Sequence, residues 1–118
     1  MLMIGHPGCT TCKRAREFLD KAGVEYQWRD IREQNPTKDE LKTWQVKSGL
    51  PLKRFFNTSG QLYRDQGISA QLPTFTEEEQ YDLLASSGMM VRRPILLGDD
   101  FILVGFKQAE WEEKISNI

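Results

Sequence analysis

The first thirty residues limit the fold most. MLMIG, residues 1 to 5, is short and apolar and stops at the break HPG, which suits a buried strand running into a loop. The loop carries Cys9 and Cys12. From Cys12 onward Ala15, Phe18, Leu19 and Ala22 recur at the spacing of an amphipathic helix, and Gly23 stands where a helix C-cap is expected. VEYQWRDI, residues 24 to 31, then sets Val24, Tyr26 and Trp28 against Glu25, Gln27 and Arg29, the period of two that marks a strand. A β-loop-α-β opening closes as a right-handed crossover between parallel strands.

The remainder divides into a helical stretch and a hairpin. Thr37 with Glu40 is a capping-box signal after Asn35-Pro36, and Leu41 and Trp44 give the following helix an inner face that ends near Gly49. Leu52, Phe55 and Phe56 suggest a further helical turn or two before the turn NTSG at 57 to 60. Another helix starts at Thr76, capped with Glu79, and carries Tyr81, Leu83 and Leu84 toward Gly88. RPILLGDDFILVGF, residues 93 to 106, reads as two apolar strands around Gly98-Asp99-Asp100. A last helix places Trp111, Ile115 and Ile118 on one side.

That order, β-α-β, helices, β-β-α, predicts an α/β fold: a four-stranded mixed sheet of the thioredoxin/glutaredoxin kind with an inserted helical lobe. The expected organisation is one domain, 1–118, with 1–36 and 89–118 as the core and 37–88 as the insertion. A chain of 118 residues can bury one core without metal or disulfide support. Its net charge of -1 argues against a global field for nucleic acid or membrane. No apolar run approaches the roughly 20 residues of a membrane-spanning helix, and MLMIG lacks the parts of a secretion signal. A cytoplasmic protein without direct nucleic-acid or membrane partners is expected.

In a reducing compartment the two cysteines are expected to be reactive or metal-binding rather than stapling. A thiolate is the attacking species, and its pKa falls at a helix N-terminus and near cations. Cys9 stands at the start of the helix, with Lys13, Arg14 and Arg16 within its first turns. Cys12, one turn inside, is placed to resolve a mixed disulfide formed on Cys9. Two other uses of the pair remain open, and a third is ruled out. A Cys9–Cys12 staple closes so small a loop that it constrains little of the unfolded chain. His6, Cys9 and Cys12 offer zinc three ligands where a closed structural site wants four, so no metal is expected. A phosphate loop of the low-molecular-weight phosphatase kind needs an arginine six positions after its cysteine, and that position is Ala15. His6 could instead assist proton transfer or make an ordinary hydrogen bond.

VRRPI, residues 91 to 95, is the second signal. In a thioredoxin-like fold a cis-proline precedes the third strand beside the cysteines, and Pro94 stands at that place. Arg93 then falls near Cys9, where it could hold an anionic group or steady the thiolate.

Taken together, P-x-C-x-x-C-x-x-A (Pro7 to Ala15), FFNTSG (55 to 60), RRPI (92 to 95) and VGF (104 to 106) resemble the arsenate reductase-like (ArsC) family and its Spx/MgsR members along nearly the whole chain. The resemblance implies an oxidoreductase in which Cys9 is the nucleophile, Cys12 resolves as a redox-active disulfide forms, and Arg93 supports an anion or the thiolate. Of the arginines that hold the oxyanion in arsenate reductases only Arg93 carries over; Asn57 occupies a second position and Gly105 or its neighbour the third. Substrate binding would thus rest on Arg93, Pro94 and Asn57; the loss of two cations speaks against arsenate reduction, and Cys12 points to dithiol chemistry on a small thiol or protein disulfide. No bound cofactor is expected, with glutathione or another low-molecular-weight thiol as reductant. The Spx resemblance implies an alternative: a redox-sensing regulator docking on the C-terminal domain of the RNA polymerase α-subunit, with Gly49 and Arg92 at the contact. Gly49 also reads as a helix C-cap and Arg92 as a solvated side chain.

Overall fold

The computed structural model describes residues 1–116. In chain order the elements are β1 (Leu2–Gly5), α1 (Thr10–Lys21), β2 (Gln27–Asp30), α2 (Lys38–Ser48), α3 (Gln61–Asp65), α4 (Ile68–Gln71), α5 (Glu77–Ser86), β3 (Ile95–Leu97), β4 (Ile102–Val104) and α6 (Gln108–Ser116). Short 3-10 turns cover Leu52–Phe55, Leu72–Thr74 and Gly88–Met90. The chain forms two compact units, one of residues 1–30 with the segment from Arg93 onward, the other of Ile31–Arg92.

The first unit is an α/β layer around a four-stranded sheet of order β2-β1-β3-β4. β1 runs parallel to β2 and antiparallel to β3, and β3 to β4 is an antiparallel hairpin. Met3, Leu96 and Leu103 stand in register across three strands on one sheet face. They pack with Cys12, Ala15 and Leu19 of α1 and Trp111 of α6, all buried. Trp111 also donates from Nε1 to the Gly105 carbonyl at 3.0 Å and meets Phe106 edge-on, with centroids 4.9 Å apart. Ile115 packs on the same cluster, whereas Ile118, expected beside it, lies outside the described residues.

Two boundaries differ from the sequence expectation. β2 begins at Gln27 rather than Val24, because β1 starts at Leu2, whose register partner is Gln27. Residues 24–26 therefore have no opposing strand, although the alternation survives: Val24, Tyr26 and Trp28 are half-buried while Glu25 and Gln27 are exposed. Ala22, expected on the inner face of α1, is exposed as its C-cap. Gly23, at φ 70°, turns the chain there. Its amide donates to Asp20 O and that of Val24 to Leu19 O, both at 3.1 Å, the paired bonds of a Schellman ending.

The second unit is helical. Both expected capping boxes form: the Glu40 amide donates to Thr37 Oγ1 and that of Glu79 to Thr76 Oγ1, each at 3.1 Å, with both glutamates accepting from the cap amides at 3.0 Å. α2 and α5 pair through buried Leu41, Trp44, Tyr81 and Leu84. At the surface Lys38 bridges Glu78 at 2.6 Å and Asp82 at 2.9 Å. Hydrogen bonds from Lys38 and Lys42 pull the Glu78 pKa down to about 2. That contribution is present above the ordinary carboxylate pKa and fades as pH falls toward 2; full solvent exposure keeps it small. α3 and α4 show no helical period in sequence, because their buried residues Tyr63, Ile68 and Leu72 are five and then four apart around Gly67. Phe56 and Val91 form an isolated antiparallel bridge, flanked by the Arg92 amide on Phe55 O and the Asn57 amide on Met90 O, both 2.8 Å.

Gly88 is buried, and a Cβ there would be driven into the carbonyl of Ile31. Backbone cannot yield as a flexible side chain does, so Gly88→Ala is expected to cost on the order of 1–3 kcal/mol in urea unfolding. An unchanged midpoint would show that this approach is not tight in solution.

Candidate active site

The site grows from the end of β1. Gly5 is followed by a tight turn in which the Gly8 amide donates to His6 Nδ1 at 2.7 Å and the Cys9 amide to His6 O at 3.0 Å. His6 Nδ1 is thus taken up as an acceptor in an ordinary hydrogen bond of the turn. Cys9 is the N-cap of α1: its backbone is extended at φ -89°, ψ 120°, and its carbonyl accepts the first helical bond from Lys13 at 3.0 Å. One turn further, Cys12 is 1% exposed and sits in the apolar cluster under the sheet. Both sulfurs are free thiols, Cys9 half-buried and open to attack.

Cys12 reaches its place because residue 5 is glycine. A Cβ there would stand 2.9 Å from both Cys12 Sγ and the Trp28 ring. The sequence reading missed this role; the available signal was a glycine ending an apolar strand.

The same fold gives the sulfurs opposite character. Burial is the largest influence on Cys9 and disfavours its thiolate. The Cys12 amide and thiol, the charge of Arg93 and the Thr11 amide together outweigh it and hold the pKa below the ordinary thiol value. These amides face the sulfur without closing a formal N-cap hydrogen bond. For Cys12 burial again leads and is reinforced by the neighbouring Cys9 sulfur; the His6 amide and Arg93 oppose it, and the pKa is pushed up to about 12.

Arg93 follows the helical unit directly and precedes Pro94 through a cis peptide bond. The Pro94 carbonyl accepts from the Gly105 amide at 2.8 Å, tying this corner to the end of β4. Gly105 has φ 81°, which explains a glycine at that position without reference to a ligand. Nε and Nη1 of Arg93 are buried and have no hydrogen-bond partner among the described residues. A buried guanidinium left so is costly unless an anion completes it.

The charge on Cys9 thus comes from a residue remote in sequence. Lys13 and Arg14 are exposed. Arg16 stacks over Trp28, 4.2 Å from the ring centroid, and its Nε donates to Tyr26 Oη at 3.3 Å. A cavity of about 230 Å3 lined by His6, Pro7, Lys13 and Trp28 adjoins the cysteine loop.

The structure brings Cys9, Cys12, Arg93 and Pro94 into the first unit, whereas Asn57, Gly49 and Arg92 belong to the second. Asn57 is anchored through its own amide to Met90 O and accepts from the Gly60 amide at 3.0 Å. Gly49 caps α2 at φ 70° with open space around a notional Cβ, so its backbone alone calls for glycine. Arg92 is half-buried rather than solvated; its Nε reaches Phe56 O at 3.5 Å, and burial with Arg54 nearby lowers its pKa. Among the described residues no cluster of three or more His, Cys, Asp or Glu could hold a metal.

A mixed β2-β1-β3-β4 sheet with a cysteine capping the first helix defines a thioredoxin-like protein. The ArsC family model matches residues 4–114, and the chain belongs to that family. The crystal structure of an ArsC family related protein from Bacteroides fragilis superimposes with a TM-score of 0.92 at 49% identity, over 95% of this chain and 94% of that one. YusI of Bacillus subtilis is 44% identical over 108 residues, 92% of each chain. The global transcriptional regulator Spx of Staphylococcus epidermidis is 25% identical over 104 residues, 88% of this chain and 78% of its own.

With Cys12→Ser, which retains a hydroxyl donor, iodoacetamide alkylation of Cys9 should show a midpoint below the roughly 8.5 of a free thiol. Arg93→Ala in that background should raise it. A midpoint at the free-thiol value would remove the electrostatic account.

Proposed function

We propose that the protein is a thiol–disulfide oxidoreductase. The observation that carries this reading is the split between the sulfurs, Cys9 lowered and accessible, Cys12 raised and buried, with an unpartnered guanidinium beside them. The Cys9 thiolate attacks one sulfur of a disulfide; the substrate S–S bond breaks, a Cys9–substrate disulfide forms, and the other sulfur leaves as a thiolate. Forming that bond removes the negative charge on Cys9, one of the influences holding the Cys12 proton. Cys12 then gives up its proton, attacks Cys9 Sγ and expels the second substrate thiol. The substrate gains two electrons and two protons, and the protein is left with a Cys9–Cys12 disulfide. Two equivalents of a low-molecular-weight thiol such as glutathione restore the dithiol.

Arg93 supports the Cys9 thiolate and receives a carboxylate or other anionic group of the substrate through Nε and Nη1. Pro94 shapes the backbone beside it. Oxyanion reduction is the weaker use of this site: glycine stands at 105 and asparagine at 57, leaving one arginine. The relation to Spx supports a second reading, a redox-sensing regulator that binds the C-terminal domain of the RNA polymerase α-subunit when the disulfide changes state. The structural roles of Gly49 and Arg92 explain those residues without a partner and leave this reading second. Both readings place the protein in the cytoplasm.

Reduction of a small disulfide coupled to glutathione should vanish in Cys9→Ser, and Cys12→Ser should accumulate a mixed disulfide detectable by mass. Arg93→Ala should slow turnover of an anionic disulfide about tenfold or more, a neutral one less. Redox-dependent stoichiometric binding to the polymerase domain, without turnover, would favour the regulator.

A further inference from the structure

The helical unit carries a concave feature of its own that contains no cysteine. Two adjoining cavities of about 400 and 220 Å3 share Lys53, Tyr63 and Ser69 as walls. Thr58, Arg64 and Gly67 complete the larger, and Leu72, Pro73 and Gln80 the smaller.

The chemistry of the larger cavity is one-sided. Tyr63 is 5% exposed and its ring packs on Phe56, with centroids 6.1 Å apart, so what remains open of it faces the cavities. Among the described residues its hydroxyl has no hydrogen-bond partner, and the same holds for the side chains of Lys53, Arg64, Thr58 and Ser69. Elsewhere in this unit Lys38 and Lys42 are paired with carboxylates. Two cations without counter-charge and three free hydroxyls around one hollow call for a ligand rich in acceptors, and a phosphate offers three such oxygens. Among the described residues no carboxylate lines either cavity to oppose it.

The smaller cavity differs. Leu72 and Pro73 make an apolar wall, and Gln80 spends its Nε2 on Phe75 O at 3.3 Å, which leaves its Oε1 as an acceptor. Such a wall suits a flat ring, and the free oxygen suits an exocyclic amine on it.

The geometry points to a binding site for a nucleoside monophosphate, with phosphate among Lys53, Arg64, Tyr63, Thr58 and Ser69 and the base against Leu72, Pro73 and Gln80. It is independent of the cysteine chemistry.

Titration calorimetry of the full chain with adenosine 5′-monophosphate, adenosine and inorganic phosphate tests it. Saturable binding of the nucleotide is expected, tighter than for either fragment. Lys53→Ala and Arg64→Ala should each weaken it about tenfold or more. Tyr63→Phe, which keeps the buried ring, should weaken it several-fold with the unfolding temperature held. Arg93→Ala should leave it unchanged. Absence of nucleotide binding would overturn the proposal, as would binding lost in Arg93→Ala and indifferent to Lys53→Ala and Arg64→Ala. Phosphate binding as tightly as the nucleotide would overturn the assignment of the base.

Discussion

The approach of Cys12 to Gly5 is the contact on which the site depends. It lets α1 lie against the end of β1 closely enough for a sulfur to become part of the core, beside Met3, Leu96 and Trp111. With Cys12 so placed, the start of the helix is set and Cys9 falls at its N-cap, where backbone amides point outward. Any side chain at residue 5 would press on both Cys12 and Trp28.

From that arrangement a division of labour follows without any unusual residue. Burial acts on both thiols in the same direction. It prevails for Cys12, which is enclosed, and is overcome for Cys9, which receives amides and a guanidinium. Each sulfur also works on the other: the Cys12 thiol supports the Cys9 thiolate, and the Cys9 sulfur discourages ionisation of Cys12. A pair coupled in this way changes its properties once one member is covalently modified, which suits a two-step exchange. The unpartnered nitrogens of Arg93 add a recognition element at the same place.

Much of the fold was legible in the sequence because its signals are local. The capping boxes at Thr37 and Thr76, the period of α1 and the two apolar runs about Gly98-Asp99-Asp100 each rest on residues within a few positions of one another, and each is found. Where reading failed, the deciding partner lay elsewhere. The start of β2 is set by the length of β1, and α3 and α4 by buried residues with no regular spacing. In the site, Lys13, Arg14 and Arg16 stand near Cys9 in sequence beside the anticipated Arg93, yet Arg16 turns to Trp28 and the charge arrives from Arg93.

The sequence by itself determined most of the elements, the cysteine pair at a helix start and the family, since hydrophobic period, caps and motif spacing are properties of short segments. Tertiary structure decided how fully Cys12 is enclosed, that Arg16 turns away from Cys9 while Arg93 acts on it, and that Gly105 and Arg92 have backbone or packing reasons of their own. Burial and long-range charge depend on residues brought together from distant parts of the chain, and no local pattern encodes them.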